Sequence, residues 1–171
     1  MRGGLFAVLF IAVVFSQSCG FSFLQRPLDP EILGRVYLRQ QAEAAKFVRY
    51  LERALARRDV VLAQVAEQAD TRISLHEVGY RRELLSTGVD ARAREFELVL
   101  TVSYSARATA EQGWRLPRRT TTVRRDFLYD EREVLGKSWE EQRLYAEMAR
   151  ELARRIIERL AWATDNPPAR H

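Results

Sequence analysis

The chain has 171 residues, a length typical of one domain, and its contents of 47% hydrophobic and 30% charged residues argue against disorder throughout. A net charge of +5 favours polyanionic partners such as nucleic acid or phosphate-bearing lipid, although an arginine-rich solvated surface gives the same excess. The single cysteine excludes an intramolecular disulfide and a cysteine-based metal cluster, and the two histidines offer little for a zinc site or for histidine-based catalysis.

The chain begins with features of a secretory signal. Arg2 precedes the uncharged segment 3–15, which suits a signal h-region and is too short to span a bilayer as a helix. Small polar residues and then Cys19 follow, which resembles a bacterial lipoprotein signal with an acylated cysteine at the mature N-terminus. Ser16 departs from that pattern, because an apolar residue usually stands there; ordinary secretory cleavage and an uncleaved anchor are the alternatives. We predict a signal peptide over residues 1–18 and a lipid anchor at Cys19.

The next segment leads into the folded domain. Residues 19–33 contain Pro27 and Pro30 and are predicted to be an extended, lipidated tether. A first strand is predicted over residues 35–39. Residues 43–58 carry apolar side chains at three- and four-residue spacing, which predicts an amphipathic helix. Its apolar face could pack on the protein's own sheet or contact a partner helix.

Period-two alternation predicts antiparallel strands in the middle of the chain. The first covers residues 72–86, and Gly79 is expected to mark a bulge in it. Residues 94–107 alternate most clearly, so one face should be buried and the other, which includes Val99, should be largely polar. Residues 118–130 form the next predicted strand.

The last predicted element is a long amphipathic helix over residues 138–162. Ser138 and Glu141 have the spacing of a capping box at its N-terminus. The predicted domain covers residues 34–162 and is followed by a polar tail over residues 163–171. The fold class is α+β, with two amphipathic helices packed on one face of a small, about four-stranded, mostly antiparallel sheet.

The sequence contains none of the common catalytic motifs and no nucleophile–base pair, so we predict no enzyme, no cofactor and no metal. A basic cluster without acidic residues lies in the third long strand and the loop before it. Its guanidinium groups suit phosphate, although positive charge also serves to protect an edge strand. Alternation should place Arg124 and Arg125 on opposite faces. The candidate phosphate-binding residues in this cluster are Arg118, Arg119, Arg124 and Arg125.

Three stretches occur in this order along the chain: "CGFSF" at residues 19–23, "REFELVLTVSY" at 94–104 and "VLGKSWEEQRLYAEMARELARRIIERL" at 134–160. Together they resemble the LptE family of lipopolysaccharide-assembly lipoproteins. The resemblance implies two helices against a four-stranded sheet. It also implies a lipoprotein that plugs the LptD β-barrel of the outer membrane, supports its assembly and assists lipopolysaccharide insertion into the outer leaflet.

The same resemblance implies candidate residues for lipopolysaccharide binding. A family lysine before the last helix matches Lys137. A family arginine near the loop into the strongest strand falls near Val89, with Arg92 and Arg94 close by. The partners expected are therefore LptD and lipopolysaccharide, at the outer membrane of a Gram-negative envelope. The alternatives are an outer-membrane lipoprotein with a scaffold role and no lipopolysaccharide contact, and a nucleic-acid-binding module, which the secretory signal disfavours.

Overall fold

The computed structural model describes residues 28–40, 42–87, 93–110, 113–129 and 134–166. The predicted signal peptide, Cys19 and Arg92 lie outside the described residues. The strands are β1 (Val36–Arg39), β2 (Thr71–Thr87), β3 (Ala93–Ala108) and β4 (Arg115–Leu128). The helices are α1 (Pro30–Leu33), α2 (Ala45–Ala56) and α3 (Val134–Asp165), with 3-10 turns at Ala42–Ala44 and Ala66–Gln68.

The predicted fold class is confirmed: two amphipathic helices cover one face of a four-stranded sheet with the order β1–β2–β3–β4. β1 runs parallel to β2, and α2 lies between them in the chain, whereas β2, β3 and β4 pair antiparallel. Alternate residues of the strands meet the apolar stripes of α2 and α3 in one core. Its fully buried members include Phe47, Leu100, Met148 and Leu152.

The bulges of β2 differ from the sequence prediction. Gly79 pairs in regular register with Thr101, and the register shifts instead beside His76 and beside Leu85. The prediction of a bulge at Gly79 is therefore wrong. A glycine weakens a strand without requiring a bulge, and here open space lies where its Cβ would be.

The sheet face opposite the helices is mostly polar, as predicted, but Val99 on it is fully buried. Val99 lies in register between Arg81 on β2 and Arg124 on β4. The aliphatic stems of such arginines cover apolar surface while their charged ends remain in water. A valine on this face is therefore shielded without a second layer of secondary structure.

The ends of the helices differ from the prediction. α3 begins at Val134, four residues before Ser138, so Ser138 is not its N-cap and the predicted capping box is wrong. The helix continues to Asp165, beyond the expected end at residue 162. Within the segment expected to be extended, Pro30–Leu33 form α1, because the Asp29 side chain caps it and proline is favoured at a helix start.

β4 is an edge strand along its whole length. It carries Pro117 and several arginines, features that protect an edge from pairing with another chain. Within the described ranges, none of the helices combines the length and the apolar character needed to span a bilayer.

Candidate binding surface at one end of the sheet

A row of side chains crosses the helix-covered face of the sheet near the ends of β2 and β4. Arg82 is opposite Leu98, which in turn is opposite Arg125. In the next row, Phe96 is opposite Phe127. The Arg82 guanidinium carbon lies 6.0 Å and 5.7 Å from the centroids of these two rings, so aromatic faces support the cation.

Glu141 of α3 connects this row to the helix. Its Oε1 accepts hydrogen bonds from Arg82 Nε at 2.9 Å and from the Tyr80 hydroxyl at 2.7 Å, and its Oε2 accepts from Arg82 Nη2. Burial raises the pKa of Glu141, but the hydrogen bonds from Arg82 and Tyr80 outweigh it and leave the pKa below its ordinary value. Burial and the bond to Glu141 raise the pKa of Tyr80. The carboxylate is therefore ionised and the phenol neutral at physiological pH.

Aromatic contacts extend this connection to α2. The Tyr80 and Tyr145 rings meet edge to face with centroids 5.1 Å apart, and Lys46 Nζ of α2 lies 3.7 Å from the Tyr145 centroid. Burial raises the pKa of Tyr145 to about 12. β2, α2 and α3 are thus held together at this end of the sheet by neutral rings and fixed cations.

Lys137 lies in the first turn of α3 and not before the helix, which corrects the sequence-based placement. Its Nζ donates a hydrogen bond to Glu140 at 2.8 Å and lies 5.9 Å from the Phe127 ring centroid. The Lys137 side chain is only 17% exposed. Lys137 therefore borders the row that contains Arg82 and Arg125.

Arg125 is bound to α3 as well. Its Nη2 donates to Glu151 at 2.5 Å, and Arg155 donates to the other oxygen of the same carboxylate. Two guanidinium groups therefore share one negative charge, which leaves an excess of one positive charge. Arg155 also donates to the Thr122 carbonyl at 3.3 Å and so satisfies an acceptor of the edge strand.

The other candidates are dispersed. Arg124 lies on the opposite face and pairs with Glu97 at 3.0 Å, which confirms that Arg124 and Arg125 diverge. Arg118 donates to Ser103 on that opposite face. Arg119 is on the helix side but six residues from Arg125, a separation of about 20 Å at ~3.3 Å per residue. Arg94 lies in β3. The structure therefore does not gather the predicted basic residues at one place.

Large apolar side chains are exposed at the end of the sheet that holds Arg82 and Lys137. They come from the end of β2, the end of β4 and the first turns of α3. Leu84 (55% exposed) follows Arg82 on the same face of β2, with Leu85 (52%) next to it, and we call these two leucines, with Arg82 and Lys137, the mixed surface. Such apolar groups beside cations mark binding surfaces more often than lone exposed residues do. Leu128 (63%) lies on the opposite face of the sheet and Trp139 (71%) on the side of α3 away from Lys137, so neither belongs to it.

Sequence reasoning missed Arg82, the most extensively bonded cation of this surface. The detectable signal is its position between Tyr80 and Leu84 on the same face of β2, where an apolar residue is expected. Among the described residues no group of three or more His, Cys, Asp or Glu side chains could hold a metal ion.

Comparison with known proteins identifies the family. The model of the LptE lipopolysaccharide-assembly family matches residues 33–160, which include all four strands and most of α3. The chain belongs to the LptE family. The function of this family is lipopolysaccharide assembly.

Solved structures share the fold at low sequence identity. Rare lipoprotein B from Shewanella oneidensis is 24% identical with a TM-score of 0.63, and the match covers 75% of this chain and 95% of that one. Lipoprotein B from Nitrosomonas europaea is 22% identical with a TM-score of 0.66, over 78% and 85%. A minor lipoprotein from Acinetobacter baumannii is 22% identical with a TM-score of 0.62, over 81% and 98%. No curated protein sequence matches the chain.

Proposed function

We propose that this LptE-family chain is an outer-membrane lipoprotein that plugs the LptD β-barrel, supports its assembly and assists insertion of lipopolysaccharide into the outer leaflet. The family match supports this role, as does the exposed mixed surface at one end of the domain. A plug must be compact, and this domain packs two layers around a single hydrophobic core.

We further propose that the mixed surface contacts lipopolysaccharide directly. Lipopolysaccharide presents phosphate groups beside acyl chains, and the mixed surface presents cations beside exposed apolar groups. Lys137 donates to Glu140 from a side chain that is 17% exposed, so a phosphate must take the place of Glu140 to reach the ammonium group. Leu84 is 55% exposed and follows Arg82 on the same face of β2, where its side chain can contact an apolar chain.

The N-terminal segment supplies the anchor in this proposal. Residues 1–18 are removed as a signal peptide, Cys19 receives acyl chains, and the segment between Cys19 and Leu28 tethers the domain to the bilayer. The core begins at Leu28 and includes Ala163, so both lie in the domain. One acyl chain binds a membrane marginally, and two or more bind it stably.

A scaffold role without lipopolysaccharide contact is the second candidate. One observation favours it: Glu140, Glu141 and Glu151 of α3 already neutralise much of the positive charge of Lys137, Arg82 and Arg125. Cations that serve only the fold would be paired in this way.

Binding of purified lipopolysaccharide by the full chain in detergent separates the two candidates. We expect the double variant Lys137→Gln, Leu84→Ser to raise the Kd at least about tenfold, since a charge-assisted contact is worth ~1.5–3 kcal/mol. The matched control is Arg159→Gln, Trp162→Ser, which removes a cation–tryptophan pair near the other end of α3. Equal Kd values for the two variants would favour the scaffold role.

A further inference from the structure

Three arginines lie side by side at the opposite end of the sheet. Arg72 of β2 is opposite Arg107 of β3, which is opposite Arg115 of β4. They lie on the face away from the helices, because their neighbours Ile73, Ala106 and Leu116 point into the core. We call them the arginine row. Arg115 is ten residues from Arg125 along β4, a separation of about 33 Å at ~3.3 Å per residue, so the row is remote from the mixed surface.

The charges of the arginine row are not neutralised by other described residues. Arg72 Nη2 donates to the Ala66 carbonyl at 3.2 Å, while its Nε is buried without an acceptor. Arg107 and Arg115 are exposed and make no ion pair or side-chain hydrogen bond within the described part of the chain. Like charges directly opposite each other in a sheet destabilise it. By contrast, a glutamate pairs with each of four other arginines of the same sheet, namely Arg81, Arg82, Arg124 and Arg125.

A cavity of about 200 Å³ lies at the arginine row. All three arginines line it, together with the hydroxyl-bearing side chains of Ser74 and Ser105. A water occupies ~30 Å³ in the liquid, so the cavity has room for a tetrahedral anion with waters. The described residues of the lining therefore combine guanidinium and hydroxyl groups and include no carboxylate, and the Ser105 hydroxyl also contacts His76 Nε2 at 2.8 Å.

We propose that the arginine row is a binding site for a phosphate group. Guanidinium forks donate two parallel hydrogen bonds to two phosphate oxygens, and an anion between three cations removes their mutual repulsion. Arg72 lines the cavity, and its Nε has no acceptor among the described residues. A bound phosphate also brings a hydrogen-bond acceptor into this cavity. The phosphate can belong to a phosphorylated sugar or lipid headgroup, or it can be free inorganic phosphate. The site goes beyond the proposed function, because it shares no residue with the mixed surface.

Calorimetric titration of the full chain in phosphate-free buffer with detergent tests the proposal. The probes are inorganic phosphate, glucose 1-phosphate, and micelles of the same detergent with and without phosphatidic acid. We expect Arg107→Gln and Arg115→Gln each to weaken phosphate-probe binding about tenfold, the loss of one charge-assisted contact. Arg150→Gln is the matched control, because Arg150 is an exposed arginine of α3 without a described partner. It should leave the Kd unchanged.

Thermal unfolding without a probe provides the second readout. Because Arg107→Gln removes repulsion and breaks no described contact, we expect an unchanged or higher Tm together with weaker phosphate binding. Tighter binding of the sugar phosphate or of the micelles with phosphatidic acid than of inorganic phosphate supports the site and assigns an esterified phosphate. Equal affinities support the site with free phosphate as its ligand. Failure of every phosphate probe to bind saturably, or equal binding by Arg107→Gln and the unmodified chain, would overturn the proposal.

Discussion

The contact between Glu141 and Arg82 should stabilise the fold measurably. In Glu141→Gln, a neutral amide replaces the carboxylate that accepts from Arg82 and Tyr80, and the amide nitrogen cannot accept from Arg82 Nη2. Hydrogen bonds to charged groups contribute ~1.5–3 kcal/mol each. Because the Arg82 side chain is 44% exposed and water can replace part of the interaction, we expect a loss of about 2 kcal/mol in the free energy of unfolding, or ~4–8 °C in Tm.

The pH dependence of this loss gives the sharper test. The pKa of Glu141 is lowered in the folded state, so its contribution is present above the unfolded carboxyl value of ~4.3 and disappears as pH falls through the lower folded value. Urea unfolding should therefore show the loss at pH 7 and a smaller one near pH 3. The control Glu147→Gln should cost little, because its 3.8 Å contact with Arg143 is exposed. An equal loss for Glu141→Gln at both pH values would refute the electrostatic explanation.

Three further predictions concern the core, a turn and the anchor. Leu152→Ala should lower the free energy of unfolding by ~2–5 kcal/mol in urea titrations, because Leu152 is fully buried under the sheet; a loss below ~1 kcal/mol would contradict its place in the core. Gly34→Ala should lower Tm, because Gly34 has φ +57° and an added Cβ would lie 2.5 Å from Asp70 Oδ2; an unchanged Tm would argue against this turn. Cys19→Ala should abolish acylation in cells given a radioactive fatty acid, and persistent label on the chain would contradict lipidation.

The strands and the amphipathic helices could be predicted because one face of each is buried, which imposes a periodicity on the sequence. Alternation in residues 94–107 placed β3 to within one residue at each end. The predicted start of α3 is four residues too late, because Ser138 and Glu141 have the spacing of a capping box. The structure instead uses Glu141 to bind Arg82, a tertiary contact that spacing cannot reveal.

The candidate sites were harder to predict because they depend on strand register. Arg118 and Arg119 are adjacent in sequence, yet they lie on opposite faces of β4. Arg72, Arg107 and Arg115 are distant in sequence, yet pairing across β2, β3 and β4 places them in one row. Folding therefore separates arginines that are close in sequence and brings together arginines that are distant in sequence.

Affinity purification of the epitope-tagged chain from native outer membranes tests the central claim most directly. The tag belongs at the C-terminus, beyond Asp165, where it leaves the proposed lipid anchor and the mixed surface intact. A similarly tagged, unrelated outer-membrane lipoprotein is the control for capture through the shared lipid. We predict that LptD is recovered in near-equal amount with this chain and not with the control. Recovery of this chain without LptD would contradict the account.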